Sequence, residues 1–314
     1  MFSDDKTPSL SRLSKNVYVL PLSTNIGVIA KKNGEKTDVF LIDSGNDDFS
    51  AKKILDSIEE QFQNATIRAI INTHSHADHC GGNPFIQTTS KCEIWTSRGE
   101  AYFMEYPEIE TALIWGGTPV HDIRSKFLIA KPSHATKILC DKEKIALFDG
   151  ITLEAVSLLG HYQDPLGFVI HDEDSRSVFF MGDAISGRNV IKRYWIQYLL
   201  DEKKTKESLK KIQEIKADFY VPGHGDFVNE IEGLVELNLI ALLETEDMIL
   251  DELKTPKTSE EILKAVADRN GIRLGLSQFV LIGSTLRSYL SGLYEDGKVA
   301  FELGASRMLW KLKK

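Results

Sequence analysis

The sequence predicts an α/β protein in which two β-sheets pack as a sandwich between outer helices, followed by a smaller, mainly helical region. Short apolar runs with strand character fall into two groups before residue 229, and helical patterns separate them. Strands in two groups with helices outside them fit a two-sheet sandwich flanked by helices. We therefore expect a first domain at residues 1–229, a linking helix at 230–255 and a C-terminal domain at 256–314.

In the first half, strand-like runs lie on both sides of one predicted helix. The Asn33-Gly34 pair predicts a tight turn between two strands. Helical apolar spacing at residues 49–62 predicts a helix with Ser50 as its cap. The expected strands are residues 17–20, 26–30, 38–42, 69–72 and 93–96.

The second half repeats this organisation and then becomes helical. Strands are expected at residues 151–158, 168–170, 178–181 and 219–221, with a charged helix near 202–215. A long helix at 230–253 leads to Thr255-Pro256, the expected domain boundary. Beyond it we expect a helix that begins near Ser259, a helical region at 276–294 interrupted by Gly283 and Gly292, and a hairpin formed by 297–302 and 308–311.

The densest chemical signal is the run THSHADH at residues 73–79, directly after an apolar strand-like run. Three of the chain's eight histidines and one aspartate fall within it. His74 and His76 project to the same side of an extended backbone, so they can bind one metal ion. The following turn directs Asp78 and His79 toward a second position. Imidazole and carboxylate ligands suit zinc, with iron or manganese as alternatives.

Three further candidate ligands follow strand-like runs and are flanked by glycine: His161, Asp183 and His224. Glycine lets the backbone turn sharply and approach a site closely. Polar side chains on loops at strand ends commonly form the rim of an active site on a sheet scaffold.

Five segments together resemble the metallo-β-lactamase superfamily. They are LIDSG at 41–45, THSHADHCGG at 73–82, GHYQDPLGF at 160–168, MGD at 181–183 and PGHG at 222–225. The resemblance covers the first three-quarters of the chain and implies a four-layer αββα sandwich. The C-terminal helices and hairpin resemble the winged-helix-like domain that some members carry. The substrate stays open because this superfamily hosts many reactions on one scaffold.

The resemblance also implies that seven side chains bind two Zn²⁺ ions. The ligands of the first ion would be His74, His76 and His161. The ligands of the second ion would be Asp78, His79 and His224. Asp183 would bridge the two ions, and Asp43 resembles the carboxylate that orients a ligand histidine.

The segment after His161 departs from the family pattern, which commonly continues as GHTPG. Residues 162–165 are Tyr, Gln, Asp and Pro instead. The ligand is kept, so the departure affects the shape of the pocket rather than metal binding. We expect Tyr162 to pack and Asp164 to be solvated or to cap a turn. We expect Cys80 to be a small buried side chain.

The leading functional hypothesis is a binuclear metal-dependent hydrolase. A metal-bridging hydroxide would attack an ester, thioester or lactone, with Asp78 and Asp183 as the catalytic carboxylates. The Gly81-Gly82-Asn83 extension favours a glyoxalase-II-like thioester hydrolase. One alternative is a phosphodiesterase or nuclease that acts on RNA or DNA. Another is an iron-dependent sulfur oxidoreductase on the same scaffold.

The composition is that of an ordinary globular protein, with 42% hydrophobic and 27% charged residues and a formal net charge of −8. No apolar run approaches membrane-spanning length, and the first residues lack the pattern of a signal peptide. Three cysteines without paired spacing fit a reducing compartment. We expect a cytoplasmic enzyme with a small-molecule substrate and no membrane partner, either monomeric or a homodimer.

The sequence does not decide the role of residues 98–132. Residues 98–132 contain five aromatic side chains: Tyr102, Phe103, Tyr106, Trp115 and Phe127. This segment could form a lid or pocket wall near the metals, a helical excursion or a dimer interface.

The segment from residue 256 onward has ten Lys or Arg against six Asp or Glu, a net charge of +4, which leaves −12 for the preceding residues. Such a basic segment could contact nucleic acid. A scaffold that covers the edge of the active site or mediates dimerisation fits better, because the basic residues are scattered.

Overall fold

A computed structural model describes residues 9–125, 128–194 and 196–313. Its first sheet has seven strands whose spatial order follows the chain. Their bounds are β1 Ser11–Arg12, β2 Val17–Pro21, β3 Asn25–Asn33, β4 Lys36–Ile42, β5 Ala65–Ile71, β6 Glu93–Thr96 and β7 Lys137–Ile138. Strands β1 to β4 pair antiparallel, whereas β4 to β7 pair parallel.

Helices connect the parallel strands, as crossover connections require. They are α1 Asp48–Gln61, α2 Ala77–Cys80, α3 Asn83–Ser90, α4 Arg98–Glu105 and α5 Glu108–Trp115. The cap of α1 is Asp47, whose side chain accepts a hydrogen bond from the Ser50 backbone N–H. The expectation that Ser50 caps this helix was wrong, because the carboxylate three residues before that N–H satisfies it instead.

The second sheet has five strands in the order β12-β11-β10-β9-β8. Their bounds are β8 Lys144–Phe148, β9 Ile151–Ser157, β10 Leu166–His171, β11 Ser177–Phe180 and β12 Phe219–Val221. Helices α6 (Arg188–Arg193) and α7 (Glu202–Glu214) lie between β11 and β12, which pair parallel.

Three buried clusters define the layers. One lies between the sheets and includes Ile42, Ile71 and Phe168. A second fills the space between the first sheet and helix α1, around Ile54 and Leu41. The third covers the outer face of the second sheet. The structure is therefore an α/β sandwich with helices on both outer faces, as the sequence predicts.

The C-terminal region has three helices and a hairpin. Their bounds are α8 Glu232–Glu252, α9 Ser259–Arg269, α10 Leu276–Glu295, β13 Val299–Gly304 and β14 Arg307–Leu312. The predicted hairpin is confirmed, with Phe301 opposite Trp310. The third buried cluster runs from Val156 in β9 to Val299 in β13, so these helices share a core with the second sheet. The divisions near residues 229 and 255 stay a prediction.

Helix α10 corrects one sequence expectation. It continues through Gly283 and Gly292, where we expected interruptions. A side chain at Gly283 would meet Leu263 of α9 at an ordinary contact distance of 3.5 Å, and Gly283 itself is buried. Packing against α9 and α7 stabilises the helix despite the lower helix propensity of glycine, which amounts to about 1 kcal/mol per residue.

The segment at 98–132 contains α4, α5 and a short 3₁₀ turn at His121–Ile123. The helical excursion that we considered is thus present, while Phe127 lies outside the described residues. Strand β8 and helix α3 were not predicted. No helix in the described part of the chain combines the length and the apolar character needed to cross a membrane.

Candidate metal centre

The loop after β5, residues 72–79, is called the metal loop here because it carries four of the seven candidate ligands. Hydrogen bonds fix its backbone. Thr73 N donates to Asp43 Oδ1 over 2.8 Å, and Ser75 N donates to Glu100 Oε2 over 2.9 Å. His76 has φ −59° and ψ 146°, so the backbone is extended there, as the same-side projection of alternate histidines requires. Helix α2 then begins and places Asp78 and His79 in its only turn.

The first group of ligand atoms consists of three imidazole nitrogens. His76 Nδ1 lies 3.1 Å from His74 Nε2 and 2.9 Å from His161 Nε2. His161 reaches this position because Gly160 adopts φ +125° and packs against the Thr205 backbone of α7. A Cβ at residue 160 would lie 2.3 Å from Thr205 N, so only glycine fits.

The second group contains Asp78, His79 and His224. His224 Nε2 lies 3.0 Å from Asp78 Oδ2, and His79 Nε2 lies 4.0 Å from the same oxygen. Asp183 lies between the groups: its Oδ1 is 3.2 Å from His79 Nε2, and its Oδ2 is 3.6 Å from His161 Nε2. The structure thus brings all seven predicted ligands together. Each of the two groups could hold one metal ion.

Hydrogen bonds at the opposite ring nitrogens orient the imidazoles. Asp43 Oδ2 accepts from His79 Nδ1 over 2.8 Å, which matches the orienting role predicted for this carboxylate. Two backbone carbonyl oxygens act in the same way: Tyr198 O is 3.1 Å from His161 Nδ1, and Ser23 O is 2.7 Å from His224 Nδ1. Each contact places a proton on Nδ1 and directs Nε2 at the centre, where Nε2 can bind a metal ion in the neutral form of the ring.

The first group favours neutral imidazoles. Burial, reinforced by the neighbouring His161, lowers the pKa of His76 to about 3. Burial also lowers the pKa of His74 well below its usual range. Neutral imidazole is the form that binds a metal ion, so this group is ready for one without losing protons.

The second group has the opposite balance. Burial lowers the pKa of His79, but the carboxylates of Asp183 and Asp43 outweigh it and raise the pKa to about 10. The same competition, with Asp183 as the main carboxylate, raises the pKa of His224 to about 12. The protonated rings of His79 and His224 therefore provide positive charge beside Asp78 and Asp183. A bound divalent cation would provide that charge instead.

The donor set fits metal ions on geometric grounds as well. His79 Nε2 and Asp183 Oδ1 are buried 3.2 Å apart, but neither atom makes a hydrogen bond of good geometry among the described residues, which is costly unless another group satisfies them. Gly223 leaves room for them, since a Cβ there would lie 2.2 Å from Asp183 Oδ1 and 2.8 Å from His79 Cε1. Histidine nitrogens with carboxylate oxygens are a donor set typical of zinc and of iron.

Comparisons with known proteins agree with this geometry. The family model described as "Metallo-beta-lactamase superfamily" matches residues 19–224, about two-thirds of the chain. The chain belongs to the metallo-beta-lactamase superfamily.

Two similar proteins share the description "Atrochrysone carboxyl ACP thioesterase". The protein from Aspergillus fumigatus is 23% identical over 240 residues, which cover 76% of this chain and 62% of the relative. The chain therefore spans less than two-thirds of that relative's length. The protein from Emericella nidulans is 23% identical over 326 residues, which cover 98% of this chain and 91% of the relative.

A solved structure shows the same fold. The crystal structure of a metallo-beta-lactamase family protein from Thermus thermophilus has a TM-score of 0.74 and 19% identity. The match covers 96% of this chain and all of that one. Since the match extends over almost the whole chain, it includes the C-terminal helices as well as the superfamily sandwich.

Sequence reasoning missed two buried carboxylates beside the centre. Glu100, on α4, accepts hydrogen bonds from Ser75 N and Ser75 Oγ, and from the backbone N–H of Asp164. Glu110, on α5, has Oε1 3.4 Å from His76 Nε2. Both lie in the segment at 98–132, which has no superfamily motif. The only local signal was acidic residues at helical spacing among aromatic ones.

The altered loop after His161 is explained by its neighbours. Tyr162 is only 2% exposed and packs against Phe103 and His76, so the expected packing role is confirmed. Asp164 Oδ2 accepts from Gly99 N over 3.0 Å and so caps the first turn of α4. Tyr162 and Asp164, which depart from the family pattern, therefore connect this loop to α4.

An open pocket of about 710 Å³ leads to the centre. Its inner wall contains His161, Asp183 and His224. Its outer walls come from α6 and α10 and the segments beside them, and they include Val190, Arg193, Ile196, Gln278, Leu281 and Ile282. The volume lies in the range of small-molecule sites, and most of the outer wall is apolar.

Substituting Gly223→Ala should disturb the centre without unfolding the protein. The new methyl group would overlap Asp183 Oδ1, so we expect this carboxylate to move and the bound metal per chain to fall. Elemental analysis of the purified variant checks this. Gly117→Ala is the matched control, because a Cβ at Gly117 meets no atom of the described residues within 4 Å. Full metal content in the Gly223 variant would contradict the proposal that Gly223 leaves the space that Asp183 and His79 need to bind metal.

Glu100 should make the stability of the metal-free protein pH-dependent. Burial, opposed by its hydrogen bonds, raises the pKa of Glu100 from 4.5 to about 7. The folded state then binds more protons than the unfolded state between these values, so this group's contribution to stability falls as pH rises from about 4.5 through 7.

The test is urea unfolding in the presence of a chelator at pH 5 and pH 8. Between these values, Glu100→Gln should lose less stability than the wild type, because the amide does not ionise. Glu105→Gln, which replaces an exposed residue of the same helix, serves as the control. Equal losses in the Glu100 variant and the wild type would show that this carboxyl does not titrate as described.

Proposed function

We propose that this protein is a binuclear metal-dependent hydrolase that cleaves a thioester or a related ester or lactone. One observation carries the proposal: ligand atoms from four loops form two groups at the base of an open pocket, and Asp183 lies between them, within 3.6 Å of a nitrogen of each. The descriptions of its relatives as thioesterases support a thioester among these substrates. We propose Zn²⁺ as the metal, with iron or manganese as alternatives.

Bound metal ions would lower the pKa of water toward neutrality and polarise the carbonyl group under attack. The protein's part is to hold and orient. His74, His76 and His161 would bind the first ion. Asp78, His79 and His224 would bind the second ion. Asp183 would bridge them, and with Asp78 it would place the attacking water below the pocket.

Nucleophilic catalysis by a side chain is not needed in this proposal. The cysteine beside the centre, Cys80, donates its thiol hydrogen to Ser75 O over 3.1 Å. Burial raises the pKa of the Cys80 thiol well above its usual range. A buried neutral thiol is a poor nucleophile, which agrees with the structural role predicted for this residue.

For the C-terminal region we propose a winged-helix-like arrangement that serves the pocket. Helices α9 and α10 followed by a hairpin have the order of such a unit, and α10 contributes Gln278, Leu281 and Ile282 to the pocket wall. This supports a scaffold rather than a nucleic-acid site.

The charges of this region agree with a scaffold. Six of its Lys and Arg side chains form ion pairs with nearby acids: Lys257, Lys264, Arg269, Lys298, Arg307 and Lys311. Most of the positive charge is thereby balanced within the protein itself, so the nuclease alternative gains no support from it.

Replacing His76 by alanine should remove metal and nearly all hydrolysis, because His76 Nδ1 is the common neighbour of the other two nitrogens in its group. Elemental analysis gives the metal content and distinguishes zinc from iron. A panel of thioester, lactone, phosphodiester and β-lactam substrates gives the activity. His134→Ala is the control, since that histidine is 75% exposed and outside the centre. Unchanged zinc content and turnover in the His76 variant would defeat the proposal.

Substituting Leu281→Trp should shorten the pocket. We expect kcat/KM for a long-chain acyl thioester to fall by about 10-fold or more, while that for an acetyl thioester changes by less than about 2-fold. Release of free thiol measures both rates. Leu303→Trp, at a position 74% exposed on the hairpin, is the control. An equal loss for both acyl lengths would mean that Leu281 does not contact the acyl chain.

A further inference from the structure

We propose that Glu110 is a positioning residue for the metal centre: its carboxylate holds the His76 ring so that Nδ1, rather than Nε2, faces the first metal position. This inference rests on the proposed metal-dependent function. It assigns a role to the helical segment at residues 98–132, the inserted segment. The sequence did not decide whether this segment forms a lid or an interface.

Two buried polar groups face each other here, and the described part of the chain offers them no other partner. Glu110 is 4% exposed, and no hydrogen bond to its carboxylate occurs within the described residues. His76 Nε2 is buried and equally lacks a hydrogen-bond partner there. Glu110 Oε1 lies 3.4 Å from this nitrogen, so a small movement of either side chain forms a hydrogen bond between them. Burying a carboxyl group without a partner is costly, which argues that this pairing explains its position.

Aromatic rings enclose this contact. The ring centroids of Tyr162, His161 and Tyr198 lie 4.5, 4.7 and 5.6 Å from that of His76. The hydroxyl groups of both tyrosines are buried and lack partners among the described residues. Because little water can compete at such a site, a hydrogen bond between Nε2–H and the carboxylate would be stronger here than at the surface.

The rest of the fold fixes the position of Glu110. Ile114, one turn further along α5, packs with Ile123 and with Val280 of α10. On α4, Glu100 binds the backbone and hydroxyl of Ser75, next to His76 in the chain. The inserted segment therefore reaches the metal loop twice, once through its backbone and once through a candidate ligand ring.

The chemical consequence concerns metal affinity. A ligand histidine that donates its other N–H to a carboxylate is fixed in orientation and is a more basic ligand. Loss of such a partner typically lowers metal affinity by about 10- to 100-fold. His79 has this arrangement with Asp43, at 2.8 Å. Glu110 would supply it to the first group.

The test compares three variants by competition between the protein and a chelator for Zn²⁺. Glu110→Leu removes the acceptor while it fills similar space, and we expect affinity at one of two sites to fall by about 10- to 100-fold. Glu110→Gln keeps an oxygen that accepts from Nε2–H, so it should lose less. Glu108→Leu, at an exposed position of the same helix, should bind Zn²⁺ like the wild type.

A second measurement separates positioning from a structural role. The metal-free Glu110→Leu protein should unfold at the same urea concentration as the metal-free wild type or at a higher one, because a buried polar group without a hydrogen bond has been removed. Affinity within about twofold of wild type would overturn the proposal, as would earlier unfolding of the metal-free variant. A wild-type protein that binds no Zn²⁺ would overturn the proposed function together with it.

Discussion

The carboxylate of Asp43 joins the end of β4 to both ends of the metal loop. It accepts hydrogen bonds from Thr73 N, Thr73 Oγ1 and His79 Nδ1, each over 2.8 Å. To do so, Asp43 adopts φ +64°, a left-handed conformation that costs about 1 kcal/mol or more for a residue with a side chain. The three contacts outweigh this strain, and they set the direction in which the histidine side chains leave the loop.

This anchoring allows an otherwise unfavourable set of polar groups to be buried between two sheets. Asp183 would repel Asp78, and the three imidazoles of the first group cannot all be charged. Without metal, protonated His79 and His224 balance the carboxylates. A divalent cation would replace those protons, so metal binding would be coupled to folding at this centre. The same groups that destabilise the empty centre are those that would make it bind metal tightly.

The outer parts of the site come from segments that surround the sandwich. Helices α4 and α5 bring Glu100 and Glu110 to the metal loop, and α10 forms one wall of the pocket. Ile114 of α5 packs against Val280 of α10, so these two additions support each other. The superfamily scaffold thus fixes the candidate ligands, while the insertion and the C-terminal helices shape what surrounds them. Substrate selection would depend on this second set of residues, because they line the space outside the metal positions.

The sequence by itself determined the two strand groups and the seven candidate ligands, because both depend on local patterns. The spacing of His74, His76, Asp78 and His79 is a property of consecutive residues, and strand periodicity is likewise local. The tertiary structure alone decided that Glu100 and Glu110 meet the metal loop and that α10 lines the pocket. These contacts join residues far apart in the chain, and their side chains belong to no sequence motif. The continuity of α10 through Gly283 was also a tertiary outcome, because packing between helices outweighed the local preference of glycine.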